Sequence, residues 1–269
     1  MSDKLVAAAE VGNLKEVADI LASGELVDSR DRLGRTALMV AARMGRRDIV
    51  KYLLDSGADS DARDEDRDTA LMRASMEGHV GVVGLLADYG CTVDLSDRFG
   101  FTALIRASMS GQDHVMELLL ENGAAMDRAD RDGRTALIWA AIRDHIGAAR
   151  LLLERNAKVN ARGLRGCTAL MEAAYRGYRE MVDLLLAHGA DLNARDDGGF
   201  TALCLAIRKR HQPVAKILVE RGADVDLPDA RGRTPLTWAS SRGMATLVKD
   251  LLEAKCRSQL PRKSGALHL

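Results

Sequence analysis

Three histidines are the first candidates for chemistry, because they recur at one position of a repeating pattern and histidine binds metals. His79, His145 and His211 follow one another at intervals of 66 residues. If the chain folds into one unit per 33 residues, neighbours in this set are two units, or roughly 16–20 Å, apart. A metal ion needs ligands that converge on one point. We therefore expect structural or solvent-facing histidines and predict no metal site.

The cysteines and carboxylates also lack a catalytic arrangement. The four cysteines are far apart and form no CxxC pair, which is typical of a reducing compartment and predicts a cytoplasmic protein. Cys91 and Cys256 occupy a position otherwise held by alanine and are expected to be buried, whereas Cys167 is the one plausible exposed thiol. The acidic run 64–66 is typical of a solvated loop, and neither a phosphate-binding glycine loop nor Ser-His-Asp spacing is present. The sequence predicts no enzyme and no cofactor.

A 33-residue repeat supplies the elements that must position any functional residue. Three glycine positions recur in step with a tripeptide that is Thr-Ala-Leu six times and Thr-Pro-Leu once. The tripeptide begins at Thr36, Thr69, Thr102, Thr135, Thr168, Thr201 and Thr234. Seven matches in register indicate an array of repeated structural units.

Each repeat contains two short apolar segments, which in the first complete repeat are Thr36–Met44 and Arg46–Ser56. The threonine is a suitable helix N-cap, and Gly45 and Gly57 are suitable stops. Helices this short are not stable alone, so they must be stabilised by packing on neighbouring repeats. The pattern predicts an all-α fold of stacked helix pairs joined by polar loops.

The period, the Thr-Pro-Leu start and the linking motif Gly-Ala-Asp, found at Gly57 and Gly222, resemble the ankyrin repeat family over roughly residues 1–256. The resemblance implies an ankyrin-repeat solenoid of about eight stacked helix-turn-helix units with projecting β-hairpin loops. At the position where the family usually has histidine, we expect apolar packing instead of a polar link. This chain has there Met39, Met72, Ile105, Ile138, Met171, Cys204 and Thr237.

The register predicts a single ankyrin-repeat domain over residues 1–256. It consists of an N-terminal cap unit at 1–30, full units at 31–63, 64–96, 97–129, 130–162, 163–195 and 196–228, and a C-terminal cap unit at 229–256. Glu16 at one end, and Thr237 and Ser240 at the other, replace residues that inner repeats bury, as expected of caps. Residues 257–269 lack the periodicity and are predicted to be a flexible tail.

Charge and composition restrict the class of partner. Lys plus Arg equal Asp plus Glu at 39 each, so overall charge gives no argument for nucleic acid or membrane. No stretch approaches the ~18 apolar residues of a membrane span. The resemblance implies instead that another protein is the partner, and we expect the chain to be a monomer.

In the ankyrin family, partners usually bind the concave side, which is formed by loop tips and the exposed side of each first helix. We define the loop–helix face as the positions equivalent to 32, 33, 35, 40, 43 and 44 in seven repeats, 42 positions in all. All phenylalanines and tryptophans of the chain fall in this set, joined by one tyrosine. They are Phe99, Phe101, Trp139, Tyr175, Phe200 and Trp238. Such rings are typical interface anchors, although some could instead be buried between repeats.

The loop–helix face is also positively charged. It carries fifteen arginines and Lys209 against seven acidic residues, a local excess of nine on a neutral chain. Arginine beside aromatic rings favours an acidic, partly apolar protein segment as ligand; the alternative is that these arginines only brace neighbouring repeats. With the six aromatic residues, the predicted partner-binding residues are Arg73, Arg106, Arg134, Arg143, Arg176 and Arg208.

These patterns predict a non-enzymatic adaptor or scaffold that binds a partner protein. One alternative is an inhibitory regulator that masks an enzyme or a transcription factor. Direct nucleic-acid binding is less favoured, because acidic residues interrupt the arginines and no dedicated motif is present.

Overall fold

In the computed structural model, residues 3–259 are described, and side chains are described as far as Cys256. The backbone forms two compact units with the boundary after Gly163. Each unit consists of pairs of short helices, in which a tight turn joins the two helices of a pair and a longer loop leads to the next pair.

The described part of the first unit contains five helix pairs. Its helices are α1 (Asp3–Val11), α2 (Leu14–Ala22), α3 (Ala37–Arg43), α4 (Arg47–Asp55), α5 (Ala70–Glu77), α6 (Val80–Asp88), α7 (Ala103–Ser110), α8 (Asp113–Glu121), α9 (Ala136–Arg143) and α10 (Ile146–Glu154).

The described part of the second unit begins with a 3₁₀ turn at Leu164–Gly166 and contains three helix pairs. Its helices are α11 (Ala169–Arg176), α12 (Arg179–Ala187), α13 (Ala202–Arg208), α14 (Gln212–Glu220), α15 (Pro235–Ser241) and α16 (Ala245–Gln259). The helix α16 continues to Gln259, three residues into the segment predicted to be a flexible tail. The rest of that predicted tail, residues 260–269, lies outside the described residues.

Threonine fixes where the first helix of a pair begins. Before α3 the backbone of Thr36 is extended, and its Oγ1 accepts the N–H of Met39 at 3.4 Å. The six equivalent threonines accept the N–H three residues later at 3.3–3.4 Å. Each bond satisfies a backbone donor that a helix N-terminus leaves without an intrahelical acceptor. This confirms the N-cap role predicted for Thr36.

The core of each unit lies between successive helix pairs. In the first unit α3 packs on α5, α5 on α7 and α7 on α9; in the second, α11 packs on α13 and α13 on α15. The expected apolar packing at the family's histidine position is confirmed at six of seven residues, which are buried: Met39, Met72, Ile105, Ile138, Met171 and Cys204. The seventh, Thr237, is exposed, as are Ser240 and Glu16, in agreement with a role as caps.

The three histidines connect consecutive helix pairs. His79 Nε2 donates to the carbonyl oxygen of Arg43 at 2.9 Å, at the end of the preceding pair's first helix. His145 and His211 make the same contact 36 residues back, at 3.1 Å each. These carbonyl groups lie at the helix C-terminus, where the last C=O groups have no intrahelical N–H donor. The ring also packs against Gly45, whose φ is 69° and where a Cβ would lie 2.7 Å from an imidazole atom. The histidines therefore have a structural role.

The loops contain little strand structure. Among residues 3–259, two isolated antiparallel bridges are present, Arg30–Thr36 and Ala129–Thr135. Elsewhere the loops are tight hydrogen-bonded turns. Within the same range, no helix combines the length and the apolar character that crossing a membrane requires.

Within the described residues the four cysteines form no disulfide with one another. Cys91 is buried as expected, and Cys167 is partly exposed. The expectation that Cys256 is buried is wrong: it is exposed on α16, because no further helix pair follows among the described residues to cover it.

Candidate protein-binding surface

An aspartate at the base of six of the seven loops fixes the loop tip, whereas the seventh loop has Gly163 at this position. Asp97 is only 3% exposed, and its Oδ1 accepts the backbone N–H groups of Phe99 at 2.7 Å and Phe101 at 2.9 Å. The loop turns at Gly100, where φ is 87° and a Cβ would lie 2.8 Å from the backbone nitrogen of Arg131. The carboxylate thus satisfies donors that the turn leaves unpaired and fixes the positions of both phenylalanines.

The second carboxylate oxygen of this aspartate usually binds a side chain nine residues later, on the first helix. Asp97 Oδ2 accepts from Arg106 at 2.5 Å, and Asp130 Oδ2 accepts from the indole Nε1 of Trp139 at 2.9 Å. Asp64 contacts Arg73, and Asp229 contacts Trp238, in the same way. Asp31 binds instead Arg35, four residues on. These bonds tie the loop to the helix that follows it.

The aromatic residues predicted to bind a partner in the first unit form one cluster. Phe101 lies 6.1 Å from Phe99 and 5.7 Å from Trp139 between ring centroids, the latter edge-to-face. Phe99 is 47% exposed, whereas Phe101 and Trp139 are half-buried. An arginine Cζ lies over each ring at 4.7–5.1 Å; the arginines are Arg98, Arg106 and Arg134. The rings therefore lie partly exposed on the surface, packed on one another and on guanidinium groups.

Two arginines of the first unit are already paired with carboxylates. Arg73 contacts Asp64 and lies 3.4 Å from Asp68, while Arg106 lies 2.5 Å from Asp97 and 3.3 Å from Asp68. Their side chains are 14% and 19% exposed. Desolvation raises the pKa of Asp68 and outweighs the attraction of both guanidinium groups, which lowers it. At Arg73 and Arg106 the geometry therefore favours the alternative that the arginines brace neighbouring repeats over the alternative that they offer free positive charge to a partner.

The other predicted arginines of the first unit differ in exposure. Arg134 lies 2.9 Å from Asp132 and is 19% exposed. Arg143, at the end of α9, is exposed and has no carboxylate within 4.0 Å in the part of the chain that the structure describes. Arg143 is therefore the more accessible cation of the two.

In the second unit, cations gather around Tyr175. Lys209 Nζ lies 4.4 Å from the centroid of the Tyr175 ring, and Arg208 Cζ lies 5.7 Å from it and 4.6 Å from the Phe200 ring. Within the described residues, neither Arg208 nor Lys209 has a carboxylate within 4.0 Å, whereas Arg176 is paired with Glu172. This part of the loop–helix face has two positive side chains available to a ligand.

The ionisation of Tyr175 is sensitive to these cations. The hydrogen bond with Lys209 lowers the pKa of Tyr175 below its ordinary value; desolvation opposes this, and the charges of Lys209, Arg208 and Arg176 reinforce it. A stabilised phenolate is the expected response to a positive potential. The same potential favours carboxylates that approach from solvent.

Trp238 completes the aromatic group of the second unit. Its ring lies 6.0 Å from Phe200 and 4.0 Å from Arg233 Cζ, and its Nε1 donates to Asp229 at 3.1 Å. Desolvation raises the pKa of Asp229. Hydrogen bonds from the backbone of Arg233 and Arg231 and from the side chains of Arg233 and Trp238 lower it by more, so that the net pKa lies below the ordinary value.

The predicted site residues other than Arg143 are connected by contacts into one group within each unit. The first-unit group is Phe99, Phe101, Trp139, Arg73, Arg106 and Arg134, with Arg143 at the end of α9; the second-unit group is Tyr175, Phe200, Trp238, Arg176 and Arg208. The site prediction omitted Lys209 and the loop-base aspartates. The aspartates carried a sequence signal, since they recur with the 33-residue period nine residues before Arg73, Arg106, Trp139 and Trp238.

Helix pairs with repeated threonine caps and aspartate-based loops define a helical repeat protein. In the residues that the structure describes, no group of three or more His, Cys, Asp or Glu side chains is arranged to hold a metal ion. The family model for ankyrin repeats (3 copies) matches residues 5–97, 71–163 and 170–263. The chain therefore belongs to the ankyrin repeat family, whose members are generally protein–protein interaction modules and typically not enzymes. No curated protein matches the sequence.

Proposed function

We propose that this protein is a cytoplasmic, monomeric adaptor or scaffold that binds an acidic, partly apolar segment of a partner protein on its loop–helix face. The observation that carries the proposal is the group around Tyr175, where Arg208 and Lys209 lie beside aromatic rings without a carboxylate partner among the described residues. Aromatic residues and arginine are the side chains that most often anchor protein interfaces.

The second unit is the better candidate for the electrostatic part of this binding. In the first unit, Arg73 and Arg106 are paired with buried aspartates, and a ligand carboxylate would have to compete with those contacts. Arg208 and Lys209 need no such exchange. The exposed Phe99 and the cluster around it in the first unit offer apolar contact area instead.

The test is a charge reversal at this group. Full-length protein carrying Arg208→Glu together with Lys209→Glu is compared with a control that carries Arg179→Glu and Lys216→Glu, two exposed cations on the second helices α12 and α14. Partners are captured from native lysate treated with nuclease and identified, and the affinity of each purified partner is measured at two salt concentrations.

The expected result is at least a tenfold loss of affinity in the Arg208/Lys209 variant and an unchanged affinity in the control, with binding of the original protein weakened by salt. Equal affinities of the two variants for the partner would contradict the proposal that the partner binds at Arg208 and Lys209. Capture that disappears after nuclease treatment would instead support the nucleic-acid alternative.

A further inference from the structure

The loop–helix face of the second unit contains a cleft that none of its own side chains fills. The cleft has a volume of about 570 Å³, within the ~300–1,000 Å³ typical of ligand sites. Its apolar wall is formed by Leu164, Met171, Tyr175, Phe200 and Leu205. We call it the Tyr175–Phe200 cleft. Its shape and apolar wall suit a large side chain.

One carboxylate in this cleft differs from its equivalents in other repeats. Asp196 Oδ1 accepts the backbone N–H groups of Gly198 at 2.9 Å and Phe200 at 2.8 Å, as the other loop-base aspartates do. Nine residues later, however, the helix carries Leu205, which has no donor. In the described part of the chain, no side-chain donor reaches the second oxygen of Asp196. The repeat thus lacks the side-chain donor that loops based on Asp64, Asp97, Asp130 and Asp229 have.

The protein's own tryptophans show what satisfies such an oxygen. Trp139 donates its indole N–H to Asp130 at 2.9 Å and lies under Arg134, with Cζ 5.1 Å from the ring centroid. Trp238 repeats this arrangement, and the corresponding arginine Cζ lies 4.0 Å from its ring. In the Tyr175–Phe200 cleft, Phe200 stands at the position of that arginine, Arg208 Cζ lies 4.6 Å from the Phe200 ring, and Leu205 stands where the other repeats have the tryptophan.

The charges around the cleft favour one of the two kinds of donor, arginine or tryptophan, that bind the loop aspartate in the other repeats. Arginine takes this role at positions 73 and 106, tryptophan at 139 and 238. The cleft is lined by Arg165, Arg176 and Arg208 together with Glu172, Asp196 and Asp197, and Arg176 is paired with Glu172. Among the described residues, Arg208 and Lys209, which lies against Tyr175, have no carboxylate within 4.0 Å. An additional cation from a partner would be repelled by these groups. A neutral indole brings the N–H donor and the apolar ring without that repulsion.

We propose that the Tyr175–Phe200 cleft binds a tryptophan side chain of the partner segment, with the indole N–H donated to Asp196 and flanking carboxylates paired with Arg208 and Lys209. This assignment rests on the proposed function, because it specifies the residue that anchors the acidic segment. It predicts that the segment carries tryptophan within a run of Asp and Glu.

Three fluorophore-labelled probe peptides test the proposal on the full-length protein. Each has seven residues with three acidic residues on either side of the central one, which is tryptophan, 3-benzothienylalanine or alanine. The benzothienyl ring has nearly the shape of indole but carries sulfur in place of the N–H. We expect the tryptophan peptide to bind roughly tenfold more tightly than the benzothienyl peptide and more tightly again than the alanine peptide, with shifts in the methyl NMR signal of Met171.

Asp196→Asn is the matched variant. Asparagine retains one oxygen for the N–H groups of Gly198 and Phe200, but its NH₂ group faces the indole donor. The variant should therefore bind the tryptophan and benzothienyl peptides equally. Leu205→Trp should fill the cleft and abolish peptide binding, whereas Leu205→Met, which conserves volume, should not. If Leu205→Trp fails to fold, the Asp196→Asn comparison is decisive alone.

Equal binding of the tryptophan and benzothienyl peptides to the original protein would overturn the assignment, as would a preference for tryptophan that survives in Asp196→Asn. Alanine-peptide binding as tight as tryptophan-peptide binding, if lost on reversal of Arg208 and Lys209, would overturn the cleft and leave the acidic-segment function standing. If none of the three peptides binds, the proposal of a tryptophan site in the Tyr175–Phe200 cleft is also overturned. The proposed function is then judged by the affinity of the partner captured from lysate.

Discussion

The indole nitrogen of Trp139 lies 2.9 Å from Asp130 Oδ2, and the other oxygen of that carboxylate accepts the N–H groups of Asp132 and Arg134, each at 2.9 Å. Trp139 was predicted from sequence to be a partner-binding residue, and yet its polar atom fastens α9 to the preceding loop. The part of the ring that Phe101 and Arg134 leave exposed therefore remains available for contact, whereas the N–H does not. Its removal should alter stability as well as binding.

Asp130→Ala should lower the free energy of unfolding by about 2–3 kcal/mol, because it leaves two backbone donors and the indole N–H without an acceptor. Trp139→Phe, which keeps an aromatic ring but removes the donor, should cost about 1 kcal/mol. Urea denaturation followed by far-UV circular dichroism measures both.

The double variant shows whether the two residues act on each other. If the bond contributes as the geometry indicates, Asp130→Ala and Trp139→Phe should be less destabilising together than the sum of their separate effects. Strict additivity would mean that the contact contributes nothing measurable.

Replacement of His79 tests the link between consecutive helix pairs. His79→Ala removes the donor to the carbonyl oxygen of Arg43 and should lower the free energy of unfolding by about 1 kcal/mol. His79→Gln should be milder, because Gln112 occupies the equivalent position one repeat later and its Nε2 donates to the carbonyl oxygen of Met76 at 3.4 Å. Equal losses in both variants, measured by urea denaturation, would show that ring packing rather than the hydrogen bond stabilises this position.

The helices were predictable because their limits depend on local chemistry. A threonine hydroxyl caps the helix that follows it by accepting the backbone N–H three residues later. A glycine such as Gly45, whose φ is 69°, turns the chain after the helix. Both effects act within a few residues. The 33-residue period then repeats this local information seven times. The end of α16 at Gln259 was not predictable in the same way, because the 33-residue period gives no signal beyond residue 256.

The site was only partly predictable, because pairing between charges depends on neighbouring loops. Sequence counts Arg106 as one positive charge on the loop–helix face, but Asp97 and Asp68 meet it from two different loops. Arg208 is counted equally in sequence and lies instead over Phe200. The two arginines occupy different positions: Arg106 stands nine residues after Asp97, whose second carboxylate oxygen it reaches, whereas Arg208 stands twelve residues after Asp196.

The thiols should react in the order of their exposure. Iodoacetamide at pH 8 should modify Cys256 first and Cys91 and Cys204 last, as followed by mass spectrometry of the folded protein. Burial, reinforced by the charge of Asp61, raises the pKa of Cys91 from 9.0 to about 11, and burial also raises the pKa of Cys204. Both therefore contain little of the reactive thiolate at this pH. Fast modification of Cys91 would contradict its burial.

The same shift makes stability depend on pH. A folded-state pKa above the unfolded value means that the contribution of Cys91 is fully present below about pH 9 and is lost as the pH rises toward 11. Cys91→Ala should therefore lose less stability than the original protein between pH 8 and pH 10.5, as measured by thermal unfolding. An identical loss in the two proteins would assign the pH dependence to other groups.

Titration of the tyrosines tests the electrostatics of the proposed binding site. Tyr175 should ionise at lower pH than Tyr89, because the hydrogen bond and charge of Lys209 lower the pKa of Tyr175, whereas the hydrogen bond to Asp55, together with desolvation, raises that of Tyr89. The Cζ chemical shifts of ¹³C-labelled tyrosine report both groups separately. Lys209→Ala should move the titration of Tyr175 upward and leave Tyr89 unchanged, since only Tyr175 lies against this ammonium group. A Tyr175 titration that is insensitive to Lys209 would mean that the positive potential is absent from the Tyr175–Phe200 cleft, and the acidic segment would then lack its reason to bind there.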